Sequence, residues 1–176
     1  MVQYSLRPAR DTDKDQIISL YKKVSQHSDG LARTYNEITE AYVQHFMNNA
    51  ANNGIEYVAV HTGTNTIIGE IHCYKLQPGV LAHILGELTI AVDPGFQQQG
   101  VGKRLFQTLL KEVEENRKDI LRVELIARES NTKAIAFYQS LGFAIEGRLV
   151  NRIQSTTRGF EADIPMAWMN KMYDNS

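Results

Sequence analysis

Leu88-Thr89-Ile90-Ala91-Val92-Asp93-Pro94-Gly95-Phe96-Gln97-Gln98-Gln99-Gly100-Val101-Gly102-Lys103-Arg104-Leu105 is the stretch on which the fold reading turns. An apolar strand stops at Asp93-Pro94-Gly95, a polar loop with glycines follows, and an amphipathic helix runs from about Gly100 to Asn116. Leu105, Phe106, Leu109, Leu110 and Val113 recur at helical spacing and form its buried stripe. A strand, a loop and then a helix bring several main-chain N–H groups together at the positive end of a helix dipole. Such an arrangement attracts anions. Gly100 and Gly102 let a ligand approach the backbone, and Lys103 and Arg104 add cations. An ordinary strand-to-helix turn shares these features, so the rival phosphate loops matter. Leu105 stands where a dinucleotide fingerprint would need its third glycine, and Arg104 follows Lys103 where a triphosphate loop needs Ser or Thr. Neither NAD nor ATP fits the pattern.

Upstream of this stretch, Val2 to Arg7 alternates before Pro8 and reads as a first strand. Asp11-Thr12-Asp13 caps a helix whose stripe is Ile17, Ile18, Leu20, Tyr21 and Val24, running to about Ser25. Gln26 to Tyr35, with Gly30, reads as a loop. A second helix is expected from Glu37 to Asn49, with Ile38, Ala41, Tyr42, His45 and Phe46 on one face. Three strands follow as an antiparallel meander: Glu56 to His61, Ile67 to Leu76 and Ala82 to Val92, with turns at Gly63/Asn65 and Pro78-Gly79. Downstream come a strand over Arg122 to Ala127, a helix over Thr132 to Leu141, and a last strand pair from Phe143 to near Met169. The order β-α-α-β-β-β-α-β-α-β-β is an α+β arrangement around one mixed sheet.

The 176 residues favour one domain, 1–176, and bury roughly 70% of the extended surface. Nineteen basic and twenty acidic side chains leave a net charge of -1, so nothing global recruits nucleic acid or an anionic membrane. The N-terminal residues carry no apolar leader, and no apolar run approaches the ~20 residues of a membrane span. A single cysteine, Cys73, leaves no disulfide framework and suits a reducing compartment, so a cytoplasmic location is expected. The five histidines show no ligand spacing, so no metal is expected.

Two patterns resemble the GNAT superfamily of acetyl-CoA-dependent N-acetyltransferases. Its Gln/Arg-x-x-Gly-x-Gly/Ala signature is matched by Gln97, Gly100 and Gly102. Its Asn-x-x-Ala-x-x-x-Tyr-x-x-x-Gly-Phe pattern is matched by Asn131, Ala134, Tyr138, Gly142 and Phe143. The first position is Gln97 where Arg is commoner, which weakens phosphate attraction. The resemblance implies a GNAT-like single domain with a mixed, mostly antiparallel twisted sheet flanked by helices. It implies acetyl-CoA as cosubstrate and an amine as acceptor. Main-chain groups of Ile90, Ala91 and Val92 would hold the acetyl and pantetheine portion, and Gln97, Gln98, Gln99, Gly100, Val101, Gly102 and Lys103 the pyrophosphate. Asn131 would contact pantetheine or the adenine side, and the Tyr138 hydroxyl would lie near the thioester sulfur.

Acetyl transfer needs donors for a developing oxyanion and a proton for the departing thiolate. An N–H of the Ile90 to Val92 strand and the Tyr138 hydroxyl are the candidates, against a plain aromatic packing role for Tyr138. An amine of pKa ~10.4 is neutral about once in 2,500 molecules at neutral pH, so a base helps. Glu87 is the preferred carboxylate, as base or as substrate anchor, with Glu70 and His83 as alternatives. Direct attack in a ternary complex is favoured over a route through Cys73, because His72 beside it in a strand points to the other face. Asp29, Glu37 and Glu40 would greet a cationic amine, and Arg148, Arg152 and Arg158 an acceptor carboxylate. The leading acceptor is a small or amino-acid-like primary amine, with a protein N-terminus or lysine next and a non-catalytic CoA-binding module as the rival class. Ile164, Met166 and Trp168 either pair across a homodimer or finish the core.

Overall fold

A computed structural model describes residues 2–27, 31–155 and 159–174. The chain forms two compact units, Met1–Lys75 with Thr89–Glu112, and Leu76–Leu88 with Val113–Ser176. The strands are β1 (Tyr4–Pro8), β2 (Gly54–His61), β3 (Ile67–Lys75), β4 (Ile84–Val92), β5 (Arg122–Arg128), β6 (Ala144–Ile145), β7 (Leu149–Ser155) and β8 (Gly159–Met169). The helices are α1 (Lys14–His27), α2 (Glu40–Asn53), α3 (Val101–Asn116) and α4 (Thr132–Ser140).

In the first unit β1 pairs antiparallel with β2, β2 pairs antiparallel with β3, and β3 neighbours the end of β4. Its core joins Ile17, Leu20, Tyr21 and Val24 of α1 to Val43, Phe46 and Met47 of α2 and to Val58, Val60, Ile67 and Ala91 of the sheet. The entry to α1 is held by Asp13, whose carboxylate accepts both arms of the Arg7 guanidinium at 2.6 and 2.8 Å and the Arg10 N–H at 2.8 Å. In the second unit the start of β4 runs parallel to β5, β5 is antiparallel to β8, and β6 and β7 both pair with β8. The expected mixed, mostly antiparallel sheet with flanking helices is present.

Several expected boundaries move for physical reasons. The second helix starts at Glu40 rather than Glu37, because Thr39 caps it by accepting from the Tyr42 N–H at 3.1 Å. Glu37 instead closes a separate turn, accepting from the Thr34 N–H and hydroxyl at 2.7 Å. The buried face of α2 is therefore Val43, Phe46, Met47 and Ala50, while Ala41 and His45 face solvent. β1 spans Tyr4–Pro8 rather than Val2 to Arg7, and α1 continues past Ser25 to His27. β4 begins at Ile84 rather than Ala82, since Leu81 and Ala82 donate into a preceding 3-10 turn. The last strand pair is three strands, with Phe143 to Glu146 reduced to a two-residue β6. Ile164, Met166 and Trp168 are buried in the second unit on β8, which pairs with β5, β6 and β7. Asp29, Gly30 and Arg158 lie outside the described residues.

Candidate functional site

The loop between β4 and α3 is built by short local bonds. Asp93, which is buried, accepts from the Gly95 N–H at 2.9 Å and from Lys23 Nζ at 2.7 Å, and its own N–H donates to Ile68 O at 2.9 Å. Two of the three glutamines fasten the loop to itself: Gln97 Nε2 donates to Val92 O and Gln99 Nε2 to Gly95 O, both at 3.1 Å. Gln98 and Gly100 have left-handed backbones, φ 60° and 83°. At Gly100 this favours glycine, and a Cβ there would meet nothing within 4 Å, so the loop opens on free space.

α3 then begins at Val101, and its first backbone bond is Arg104 N–H to Gly100 O at 3.0 Å. The N–H groups of Val101, Gly102 and Lys103 precede any intrahelical acceptor. A Cβ on Gly102 would meet only Ile90 and Val92 side chains at 3.6 Å, which is ordinary contact. Lys103 is exposed, whereas the Arg104 guanidinium lies 5.4 Å from the Tyr4 ring centroid, so Lys103 is the cation of this turn not engaged with a ring. Val101, Leu105, Phe106 and Leu109 are buried and hold the helix end in place. Three amides, a helix dipole and a cation around open space suit a diphosphate.

Ile90, Ala91, Val92 and Gln97 through Lys103 thus come together in the first unit, while Glu87, Asn131 and Tyr138 belong to the second. Glu87 is exposed and has a left-handed backbone, φ 52°. The parallel ladder of β4 to β5 covers Ile84↔Arg122 and Leu85↔Val123, just before it. Alternation could not assign the face of Glu87, because a left-handed residue breaks the period. Asn131 caps α4, its Oδ1 accepting from the Ala134 N–H at 3.2 Å. Gly142, φ 96°, ends the same helix with its N–H on Gln139 O at 3.0 Å. Both motif residues therefore have a local structural duty. Tyr138 is half-buried, with the Phe137 and Phe143 rings 5.6 and 6.2 Å away, and burial raises its phenol above the ordinary value. It holds its proton at neutral pH.

Of the alternatives, Glu70 is fully buried and His83 half-buried, and Cys73 is fully buried as a core residue. Glu40 pairs with Lys14, Arg148 with Glu129, and Arg152 with Asp163. Sequence reasoning missed the Lys23–Asp93 tie and a buried network in the first unit. There Glu70 accepts from the Tyr21 hydroxyl at 2.5 Å and lies 3.0 Å from His72 Nδ1. The i, i+2 spacing of Glu70 and His72 on a strand was its one visible signal.

The profile of the Acetyltransferase (GNAT) family matches residues 16–143. The [ribosomal protein bS18]-alanine N-acetyltransferase of Escherichia coli K12 is 41% identical over 87 residues, 48% of this chain and 57% of that protein. The chain thus spans just over half the length of that curated relative. A GNAT-family acetyltransferase from Streptococcus pneumoniae superposes with a TM-score of 0.85 at 22% identity, covering 95% of this chain and 99% of that one. A phosphinothricin acetyltransferase from Sinorhizobium meliloti, solved in complex with AcCoA, superposes at 0.82 with 16% identity, covering 98% and 91%. Among the described residues no helix is long and apolar enough to cross a membrane.

Proposed function

We propose, because this chain belongs to the GNAT acetyltransferase family, that it moves an acetyl group from acetyl-CoA to the primary amine of a small or amino-acid-like acceptor. The observation that carries the reading is the open turn ahead of α3, where the amides of Val101, Gly102 and Lys103 precede any intrahelical acceptor, Lys103 is exposed and a Cβ on Gly100 would meet nothing within 4 Å. A diphosphate is the chemical group that such donors hold best.

The residues then divide the work. Val101 to Lys103 bind the pyrophosphate, while Gln97 and Gln99 keep the loop in shape and Gln98 supplies its left-handed bend. Main-chain groups of Ile90, Ala91 and Val92 align the pantetheine arm, and one N–H there meets the oxyanion as charge develops. The thioester supplies an activated acetyl carbon. Asn131 fixes the start of α4, and Tyr138, protonated at neutral pH, gives its proton to the departing sulfur. Glu87 is the carboxylate that draws in the acceptor's ammonium.

A second reading, acetylation of a protein N-terminus, draws support from the name of the Escherichia coli relative. Thiol release from acetyl-CoA, followed with a panel of amino acids and polyamines beside peptides beginning with alanine, separates the two. The first reading expects turnover with the small amines. Turnover with peptides only transfers the assignment to the second, and tight CoA binding without turnover removes both.

A further inference from the structure

Tyr21, Glu70 and His72 are 0, 0 and 2% exposed and form the deepest polar cluster described in the first unit. Glu70 uses one carboxylate oxygen for the Tyr21 hydroxyl at 2.5 Å and the other for His72 Nδ1 at 3.0 Å. Tyr21 has one proton, and the short bond to Glu70 takes it in preference to the 3.4 Å contact with Nδ1. Glu70, which also meets the Glu56 carboxyl, accepts from His72 when Nδ1 carries the imidazole proton, and that tautomer leaves the lone pair on Nε2. Among the described residues Nε2 has no hydrogen-bond partner, yet it is not one of the fully shielded side-chain atoms left without one. The small exposure of His72 therefore includes Nε2. A histidine kept for packing would bury or satisfy both nitrogens.

The ring is clamped. Phe46 of α2 stacks on it at 3.9 Å and 8°, and Tyr74 of β3 lies parallel at 6.3 Å and 4°. The titratable groups that face this cluster are Tyr21 from α1, Tyr42 from α2, Glu56 from β2, where it is the ladder partner of His72, and Glu70 and Tyr74 from β3. Burial, with the charge of Glu70 second, pushes the Glu56 carboxyl up to about 9, so Glu56 stays neutral at neutral pH. β3 also runs next to the end of β4: Asp93 N–H donates to Ile68 O at 2.9 Å, and a Cβ on Gly69 would lie 3.5 Å from Ala91 O.

We infer that His72, oriented through Nδ1 by Glu70 and on the strand beside Ile90 to Val92, is the base that takes the proton from the acceptor's ammonium. The inference rests on the acetyl transfer proposed above, and it moves the base role from Glu87 to His72, leaving Glu87 as anchor. One N–H bond of the ammonium breaks, its proton goes to Nε2, and the imidazolium is balanced by Glu70. The freed nitrogen pair forms the C–N bond, the C–S bond breaks, and its pair stays on sulfur. The thiolate takes the Tyr138 proton, and Tyr138 recovers one from the newly bonded nitrogen. The imidazolium returns its proton to water.

The test follows kcat/KM against pH with acetyl-CoA and the best amine of the panel, in the wild type, His72→Gln, Glu70→Gln and Glu87→Gln. The wild type should lose activity on the acid side as an imidazole protonates. His72→Gln should lower kcat about 100-fold, erase that limb and leave acetyl-CoA affinity unchanged. Glu70→Gln should move the limb to lower pH, and Glu87→Gln should raise the acceptor KM while keeping the limb. Ring 15N resonances of the wild-type protein, which need no variant to fold, should show the Nδ1–H tautomer and a titration coincident with the kinetic limb. An Nε2–H tautomer, a ring that does not titrate, or a His72→Gln enzyme with the wild-type profile overturns the inference while acetyl transfer stands. Absence of wild-type turnover with every amine overturns acetyl transfer and this inference together.

Discussion

Asp13 gathers three hydrogen bonds, two from the Arg7 guanidinium and one from the Arg10 N–H, on one buried carboxylate, and it illustrates how single residues set pH limits here. The Arg7 guanidinium holds its carboxyl below the usual value, with the Arg10 N–H adding to the effect and burial opposing it. A depressed native value means that the stabilisation is present above the unfolded value of about 3.8 and drains away as pH falls through the native one. Asp13→Ala leaves Arg7 without its partner and should cost about 3 kcal/mol at neutral pH, with a much smaller difference near pH ~2, read by thermal melts at both. Tyr138→Phe addresses the chemistry instead. It removes only the hydroxyl, so kcat should fall about 100-fold or more while the Kd for acetyl-CoA holds, and equal kcat removes Tyr138 from the acid role. The two motif glycines behave differently on inspection. Gly100 sits at φ 83° and resists any side chain, whereas Gly102 accepts a Cβ at ordinary contact.

At the scale of elements, α3 was legible in the sequence because its stripe is local: Leu105, Phe106, Leu109, Leu110 and Val113 are all buried. The phase of α2 was not, because Ile38 is apolar and buried yet precedes the helix, and it pulled the expected face by a residue. The tie of Tyr21 to the Glu70–His72 pair was hidden for a different reason. Tyr21 stands 49 residues before Glu70 in the chain, and the two meet only when β3 packs under α1. The C-terminal end of α3 shows the same dependence on distant chain. Asn170, buried after β8, donates to Ile120 O at 2.9 Å, to Arg117 O at 3.4 Å and to Val113 O at 3.5 Å, and accepts from the Met172 N–H at 2.9 Å. Asn170→Ala strands these carbonyls and should destabilise the protein by about 1–3 kcal/mol in urea titrations. A loss within experimental error would show that water replaces the amide.

For the molecule as a whole, the raised carboxyl of Glu56 ties stability to pH. Its native carboxyl value of about 9 lies above the unfolded 4.5, so the folded chain binds the extra proton and stability declines as pH rises between those values. Glu56→Gln should flatten this decline, giving melting temperatures that diverge from the wild type above about pH 5 and most at about pH 9. Parallel curves would place the alkaline sensitivity elsewhere. Most of the element order, the glycine-bearing turn ahead of α3 and the helix carrying Tyr138 were readable from glycines, caps and periodicity, which are properties of neighbours in the chain. The faces of Glu87 and Glu70 were not, since a left-handed residue and a helix-covered strand decide them. The central claim is that the first turn of α3 binds the coenzyme's diphosphate. Calorimetric titration of CoA into the wild type and Gly102→Glu tests it most directly. Gly102→Glu should melt within a few degrees of the wild type and bind CoA at least about tenfold more weakly, because it sets a carboxylate among the amides proposed to bind phosphate. Equal affinities in two folded proteins would contradict the account.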